Sequence, residues 1–199
     1  MKFKTFDAVK NELFKLPNEL TLLRIFLTPI VLVAIVYGKD NWAFLIYTIA
    51  AITDFFDGYI ARKRKEITDI GKFLDPLADK LMSLTMYISL SMKALHLTNT
   101  IPTWLTIFVV SRDLIIVFGI GVIFLLKDDI IIKVSIWGKI AMVLQDLTVF
   151  FVLLFNYLKR PCIFINYLYV LTLTFVLIST YGYVKMGFKI IGDNGGKNV

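Results

Sequence analysis

Residues 140–158 read IAMVLQDLTVFFVLLFNYL, a run in which Asp146 is the one charged residue. About 20 mostly apolar residues are what an α-helix needs to cross the hydrocarbon core of a bilayer. A barrel strand would alternate apolar and polar positions over about ten residues. Val149, Phe150, Phe151, Val152, Leu153 and Leu154 do not alternate. Lipid offers the backbone no hydrogen bonds, so such a run reads as a helix, which bonds its peptide groups internally. Further runs of the same kind occupy residues 20–37, 42–60, 73–92, 103–126 and 164–183. The expected fold is therefore an all-α integral membrane bundle of six transmembrane helices.

Composition agrees. Of the 199 residues, 58% are hydrophobic and 19% charged, with a mean hydropathy of +0.75. Soluble domains carry about 25% charged residues, so a water-soluble enzyme, a disordered chain and a secreted disulfide scaffold are excluded. The single cysteine, Cys162, has no intramolecular partner to bridge. Neither an internal repeat nor a low-complexity linker divides the chain. One domain is expected, with a leader at 1–16, a six-helix bundle at 17–190 and a tail at 191–199.

In the leader, Phe6, Val9, Leu13 and Leu16 recur at helical spacing among Lys2, Lys4, Lys10 and Lys15. This is the pattern of a basic amphipathic helix lying in the membrane interface. Lysine and arginine set the orientation. Fifteen of the 22 fall in the leader, the second connection, the fourth connection and the tail, and four fall in the opposite connections. The positive-inside rule then puts both termini on the cytoplasmic side of the inner (cytoplasmic) membrane. The net charge of +7 fits an anionic membrane surface or phosphorylated substrates, and no nucleic acid partner is expected.

Ionisable residues inside spans are expensive and mark function by default. Here they gather around the second connection. Asp54 and Asp57, three apart, share a helix face, as do Asp75 and Asp79, four apart. An antiparallel hairpin brings the two faces together near the cytoplasmic end. Two carboxylates about 6 Å apart repel by roughly 3 kcal/mol at an effective dielectric near 20, so the cluster calls for cations. All-oxygen ligation suits Mg²⁺, Mn²⁺ or Ca²⁺. Pairing with Arg62, Lys63, Arg64 and Lys80, or a proton or cation pathway, would also account for the acids. Gly58, Ala61 and Gly71 interleave with them as small residues do where a ligand or a neighbouring helix approaches closely.

Taken in order, Asp54, Asp57-Gly58, Ala61-Arg62, Gly71, Asp75 and Asp79 follow the pattern D-x2-D-G-x2-A-R-x8-G-x3-D-x3-D. This resembles the signature of the CDP-alcohol phosphatidyltransferases, in which an alcohol displaces CMP from a CDP-linked lipid with the help of divalent metal. The resemblance implies a homodimer of six-helix subunits with a polar cavity open to the cytoplasm. It implies that Asp54, Asp57, Asp75 and Asp79 hold two Mg²⁺ or Mn²⁺ ions and that Asp79 is the general base. It further implies that Asn18, Asp57, Gly58, Ala61, Arg62, Thr68 and Gly71 contact the CDP-lipid.

The segment Pro17-Asn18-Glu19-Leu20-Thr21 with Arg24 and Pro29, the run from Phe73 to Lys80, Ser111-Arg112-Asp113, and Gly138-Lys139 with Gln145 are similar to one branch of that family. Its acceptor is glycerol 3-phosphate and its lipid substrate is CDP-diacylglycerol. Ile140-Ala141 departs from the branch, where Lys or Arg followed by Thr is expected. An acceptor phosphate needs a fixed cationic pocket, for which Arg112, Lys133 and Lys139 are the candidates, since Arg grips phosphate oxygens in a planar fork. Arg112 also has an internal ion pair with Asp113 or Asp146 open to it. Arg24 either snorkels or pairs with a carboxylate. Phosphatidylglycerol, inositol phosphate or serine as acceptor, and a divalent-cation transporter, are the competing readings.

Overall fold

The computed structural model describes residues 16–64, 71–126 and 135–192; residues 1–15 of the leader expected to be amphipathic, Thr68, Lys133 and residues 193–199 lie outside them. The described residues form α1 (Leu16–Val36), α2 (Asp40–Arg64), α3 (Gly71–Ser91), α4 (Thr103–Leu126), α5 (Ile136–Tyr157) and α6 (Phe164–Gly192), with a short 3₁₀ turn at Lys93–Leu95. No strand occurs among them. Each helix coincides with one of the apolar runs. Three of the six, over Asn18–Val36, Ile136–Tyr157 and Phe164–Gly187, are long and apolar enough to cross a bilayer. α6 continues past the apolar run ending at residue 183 as far as Gly192. A helix need not stop where the apolar run does, and no proline lies between to break it.

Two helix ends show how the chain turns. At the end of α1 the Gly38 N–H donates to the Ile35 carbonyl at 3.0 Å and the Lys39 N–H to the Ala34 carbonyl at 2.8 Å. That crossed pair is the Schellman closure, and it requires a left-handed residue, here Gly38 at φ +64°. α5 ends in the same way. Lys159 N–H donates to Asn156 O at 3.0 Å and Arg160 N–H to Phe155 O at 3.1 Å, with Lys159 itself at φ +51°. A side chain is disfavoured in that conformation, and the Lys159 ammonium is anchored by an ion pair with Asp40 in the first turn of α2.

The chain divides into two compact units, one comprising Met1–Thr100 with Leu153–Pro161 and the other Ile101–Val152 with Cys162–Val199. In the first, α1 packs against α2 and α3. Ala43, Tyr47 and Ala50, spaced on one stripe of α2, are buried together with Val31, Ala34 and Ile35 of α1 and Ala78, Met82 and Met86 of α3. Small residues let helices approach closely, the usual device where lipid removes the hydrophobic drive for association. The last turn of α5 is tied in by Asn156, which accepts the Asn99 backbone N–H at 2.7 Å and donates to the Asn99 carbonyl at 3.0 Å. In the second unit α4 packs on α6, burying Leu105 and Val109 of α4 and Ile165, Leu168, Thr172, Val176 and Ser179 of α6.

The outward faces are apolar. Phe26, Ile30 and Val33 of α1, Ile107 and Phe118 of α4 and Tyr167 and Val170 of α6 are exposed. The polar residues Asn18, Thr21, Arg24 and Thr28 are buried on the other side of α1. In water this arrangement would be inverted; in lipid it is the stable one. The protein is a membrane protein.

Candidate active site

The polar stripe of α1 organises the site. Asn18, Thr21, Arg24 and Thr28 fall at spacings of three, three and four, so they line one helix face, and all four are buried. That face receives acids from both neighbouring helices. The Thr21 hydroxyl donates to Asp75 Oδ1 of α3 at 2.6 Å. One turn further along, Arg24 Nη1 stands 2.5 Å from Asp54 Oδ1 of α2 and donates to Asp79 Oδ1 of α3. Thr28 Oγ1 donates to the Arg24 carbonyl at 2.9 Å.

Magnitudes explain why one arginine takes two acids. Only 2% of the Arg24 side chain is exposed, against 49% of Asp54 and 53% of Asp79. Burying a guanidinium costs several kcal/mol. A unit ion pair at 4 Å returns about 4 kcal/mol at an effective dielectric of 20, and exposure of the acids reduces that. A single half-solvated carboxylate therefore falls short, and two bring the sum towards balance.

Thus three of the four acids picked out by spacing are brought to one face of α1, two of them onto a shared cation. The side chains of Asp57, Gly58, Ala61 and Arg62, in the last turns of α2, and of Gly71, which opens α3, lie outside the described set. Among the described residues no three acidic, cysteine or histidine side chains close around a point that could hold a metal ion. The donor set nonetheless fits a hard divalent cation. Every donor is a carboxylate oxygen, Asp54, Asp75 and Asp79 are all exposed, and Asp57 stands one turn beyond Asp54 on the same helix. Arg24 is the residue that sequence reasoning left open. Its signal was a lone charge in an otherwise apolar run, at helical spacing from Asn18 and Thr21.

The second predicted cluster lies in the other unit. The Arg112 and Asp113 side chains of α4 are 1% and 3% exposed, with Arg112 Nη1 2.7 Å from Asp113 Oδ1. Arg112 Nη2 donates to the Gly138 carbonyl and to Ser179 Oγ, each at 3.3 Å. Its Nε has no hydrogen-bond partner among the described residues. Gly138 leaves room for Tyr183: a Cβ there would meet its hydroxyl at 2.7 Å, so the ring would have to shift. Lys139, next to Gly138 at the start of α5, is exposed. The internal ion pair with Asp113 that the sequence allowed is therefore present.

A model of the CDP-alcohol phosphatidyltransferase family matches residues 14–181. The CDP-diacylglycerol–glycerol-3-phosphate 3-phosphatidyltransferase of Aquifex aeolicus is 31% identical over 177 residues, covering 88% of this chain and 97% of that protein. The protein of the same name from Bacillus subtilis is 33% identical over 153 residues, 66% of this chain and 75% of its own length. That from Haemophilus influenzae is 36% identical over 129 residues, 63% of this chain and 68% of its own.

Proposed function

The chain belongs to the CDP-alcohol phosphatidyltransferase family, and from that premise we propose that it transfers the phosphatidyl group of CDP-diacylglycerol to glycerol 3-phosphate, yielding phosphatidylglycerophosphate and CMP. The observation that carries this reading is the gathering of Asp54 and Asp79, from two helices, onto one buried arginine with both carboxylates half open. The relatives named for that reaction support the choice of acceptor.

In this reading Asp54, Asp57, Asp75 and Asp79 hold two Mg²⁺ or Mn²⁺ ions. Bound there, the metal neutralises charge that builds on the diphosphate as CMP departs. Asn18, Gly58, Ala61, Arg62, Thr68 and Gly71 bind the CDP-lipid, with the acyl chains passing sideways into the bilayer. Asp79 accepts the proton of the primary hydroxyl of glycerol 3-phosphate. That oxygen attacks the lipid-side phosphorus, the phosphoanhydride bond breaks, and CMP takes the bonding pair. Positioning and electrostatics carry such a transfer more than covalent help does. Arg112, with Lys133 and Lys139, receives the acceptor phosphate. For this the guanidinium must turn part of its fork away from Asp113, Gly138 and Ser179. The chain crosses the inner membrane six times with both termini and the site cytoplasmic, and it works as a homodimer among membrane lipids.

The test is CMP release from CDP-diacylglycerol by the purified protein in detergent with Mg²⁺, each acceptor supplied separately. Release with glycerol 3-phosphate alone, abolished by EDTA, is expected. Release with phosphatidylglycerol, inositol phosphate or serine instead would keep the acidic cluster and remove the acceptor role of Arg112. No release from folded, Mg²⁺-binding protein would favour a cation transporter.

A further inference from the structure

Arg24 contributes no group to the transfer just described, yet it is among the most deeply buried side chains of the protein. It sits within the apolar span Asn18–Val36, where a charge without a role is selected against by its own desolvation. One nitrogen, Nη1, reaches an acid on α2 and an acid on α3. The cation is on the protein side of the cluster, and the acids are open on the other.

We infer that Arg24 is the resident counter-ion of the acidic cluster: it holds Asp54 and Asp79 together when no metal is bound. The inference rests on the proposal that this cluster takes divalent cations. It follows from the charge balance of two states. Without metal, Asp54 and Asp79 repel across the α2–α3 gap, and among the described residues the guanidinium is a positive charge that both of them touch. With metal, the ion relieves the same repulsion and Arg24 becomes partly redundant. Arg24 therefore stabilises the metal-free protein more than the metal-bound one. By linkage it must weaken metal binding while keeping the empty site assembled.

Mn²⁺ serves as the probe, with binding followed by electron paramagnetic resonance and melting temperature measured with and without the ion in detergent. In Arg24→Gln the metal-free melting temperature should fall, the Mn²⁺-induced rise should exceed that of the natural protein, and Mn²⁺ should bind about tenfold more tightly, as loss of a neighbouring like charge requires. Arg24→Lys keeps the charge and should stay close to the natural protein on all three measures. A Mn²⁺-induced rise in Arg24→Gln that is equal to or smaller than that of the natural protein overturns the inference and leaves an ordinary structural ion pair. If Arg24→Gln does not fold, adding Asp54→Asn should restore folding by removing the repulsion, and failure of that double variant also overturns it. If the natural protein shows no Mn²⁺ response, the metal reading falls by itself. The metal-free order of Arg24→Lys above Arg24→Gln, with rescue by Asp54→Asn, then still decides whether Arg24 is the counter-ion.

Discussion

Among the described residues two arginines, Arg24 and Arg112, are buried, and they are neutralised in opposite ways. Arg24 on α1 reaches out to Asp54 and Asp79, acids that are 30 and 55 positions away in sequence and half open on their far side. Arg112 on α4 pairs with the next residue, Asp113, and both side chains are buried. The first pairing joins three helices and keeps accessible anions. The second is local and buried, with Arg112 Nε and Asp113 Oδ2 making no hydrogen bond among the described residues. Exposure of the partner therefore separates an ion pair that can share its acids with a ligand from one that must open before it can bind anything.

The largest test of the open pair is Asp79→Asn. Loss of a general base lowers turnover by about 10²–10⁴-fold, and CMP release should fall in that range while CDP-lipid binding persists. Full activity would remove Asp79 as the base and make it an anchor for Arg24 alone.

The closed pair should be the more fragile in folding. Arg112→Leu strands Asp113 in the interior, and breaking a buried pair in this way costs about 3–5 kcal/mol. Arg24→Leu leaves acids that water can reach, so its loss should be nearer 1–2 kcal/mol, the scale of a surface-linked hydrogen bond to charge. Unfolding both variants in denaturant measures the difference. Equal losses would erase the distinction drawn between the two sites. Replacing Arg112 and Asp113 together by leucine should recover much of the stability.

Smaller effects probe the supports. Gly138→Ala drives a methyl group to 2.7 Å from the Tyr183 hydroxyl. Overpacking of this kind costs about 1–3 kcal/mol, and Tyr183→Phe in the same chain should return part of it, as melting temperatures would register. On the open side, Thr21→Val removes the hydroxyl that donates to Asp75 and should cost about 1 kcal/mol. A loss at Thr21 larger than that at Gly138 would mean that the α1 stripe is the tighter of the two frameworks.

The helices were legible because in lipid a long apolar run has one way to satisfy its backbone. The run at 103–126 became α4 with the same ends, most others shifted by a few residues, and α6 ran on past residue 183 to Gly192. The acids were legible as a group because spacing puts Asp75 and Asp79 on one face of α3 whatever else the chain does. What spacing does not encode is the cation among them. Arg62, Lys63, Arg64 and Lys80 stood closer in sequence, and among the described residues Arg24, from another helix, bridges Asp54 and Asp79. The Asp40–Lys159 pair, separated by 119 positions, was equally invisible. Such a pair depends on how helix ends meet, and no periodicity within a helix reports that. The left-handed Lys159 was hidden for a related reason, since nothing local marks a lysine for a position that glycine fills at the end of α1.

Ala50 has an influence out of proportion to its single methyl group. It is buried on α2, four residues before Asp54 and thus on the face that meets Arg24 of α1. A leucine or phenylalanine there would act as a wedge, levering α2 away from α1 one turn (about 5.4 Å) from the site. Asp54 would be drawn out of reach while Asp79, on α3, kept its grip, and the cluster would come apart along a defined seam. Graded bulk at that position would therefore adjust the distance between Asp54 and Asp79 in steps.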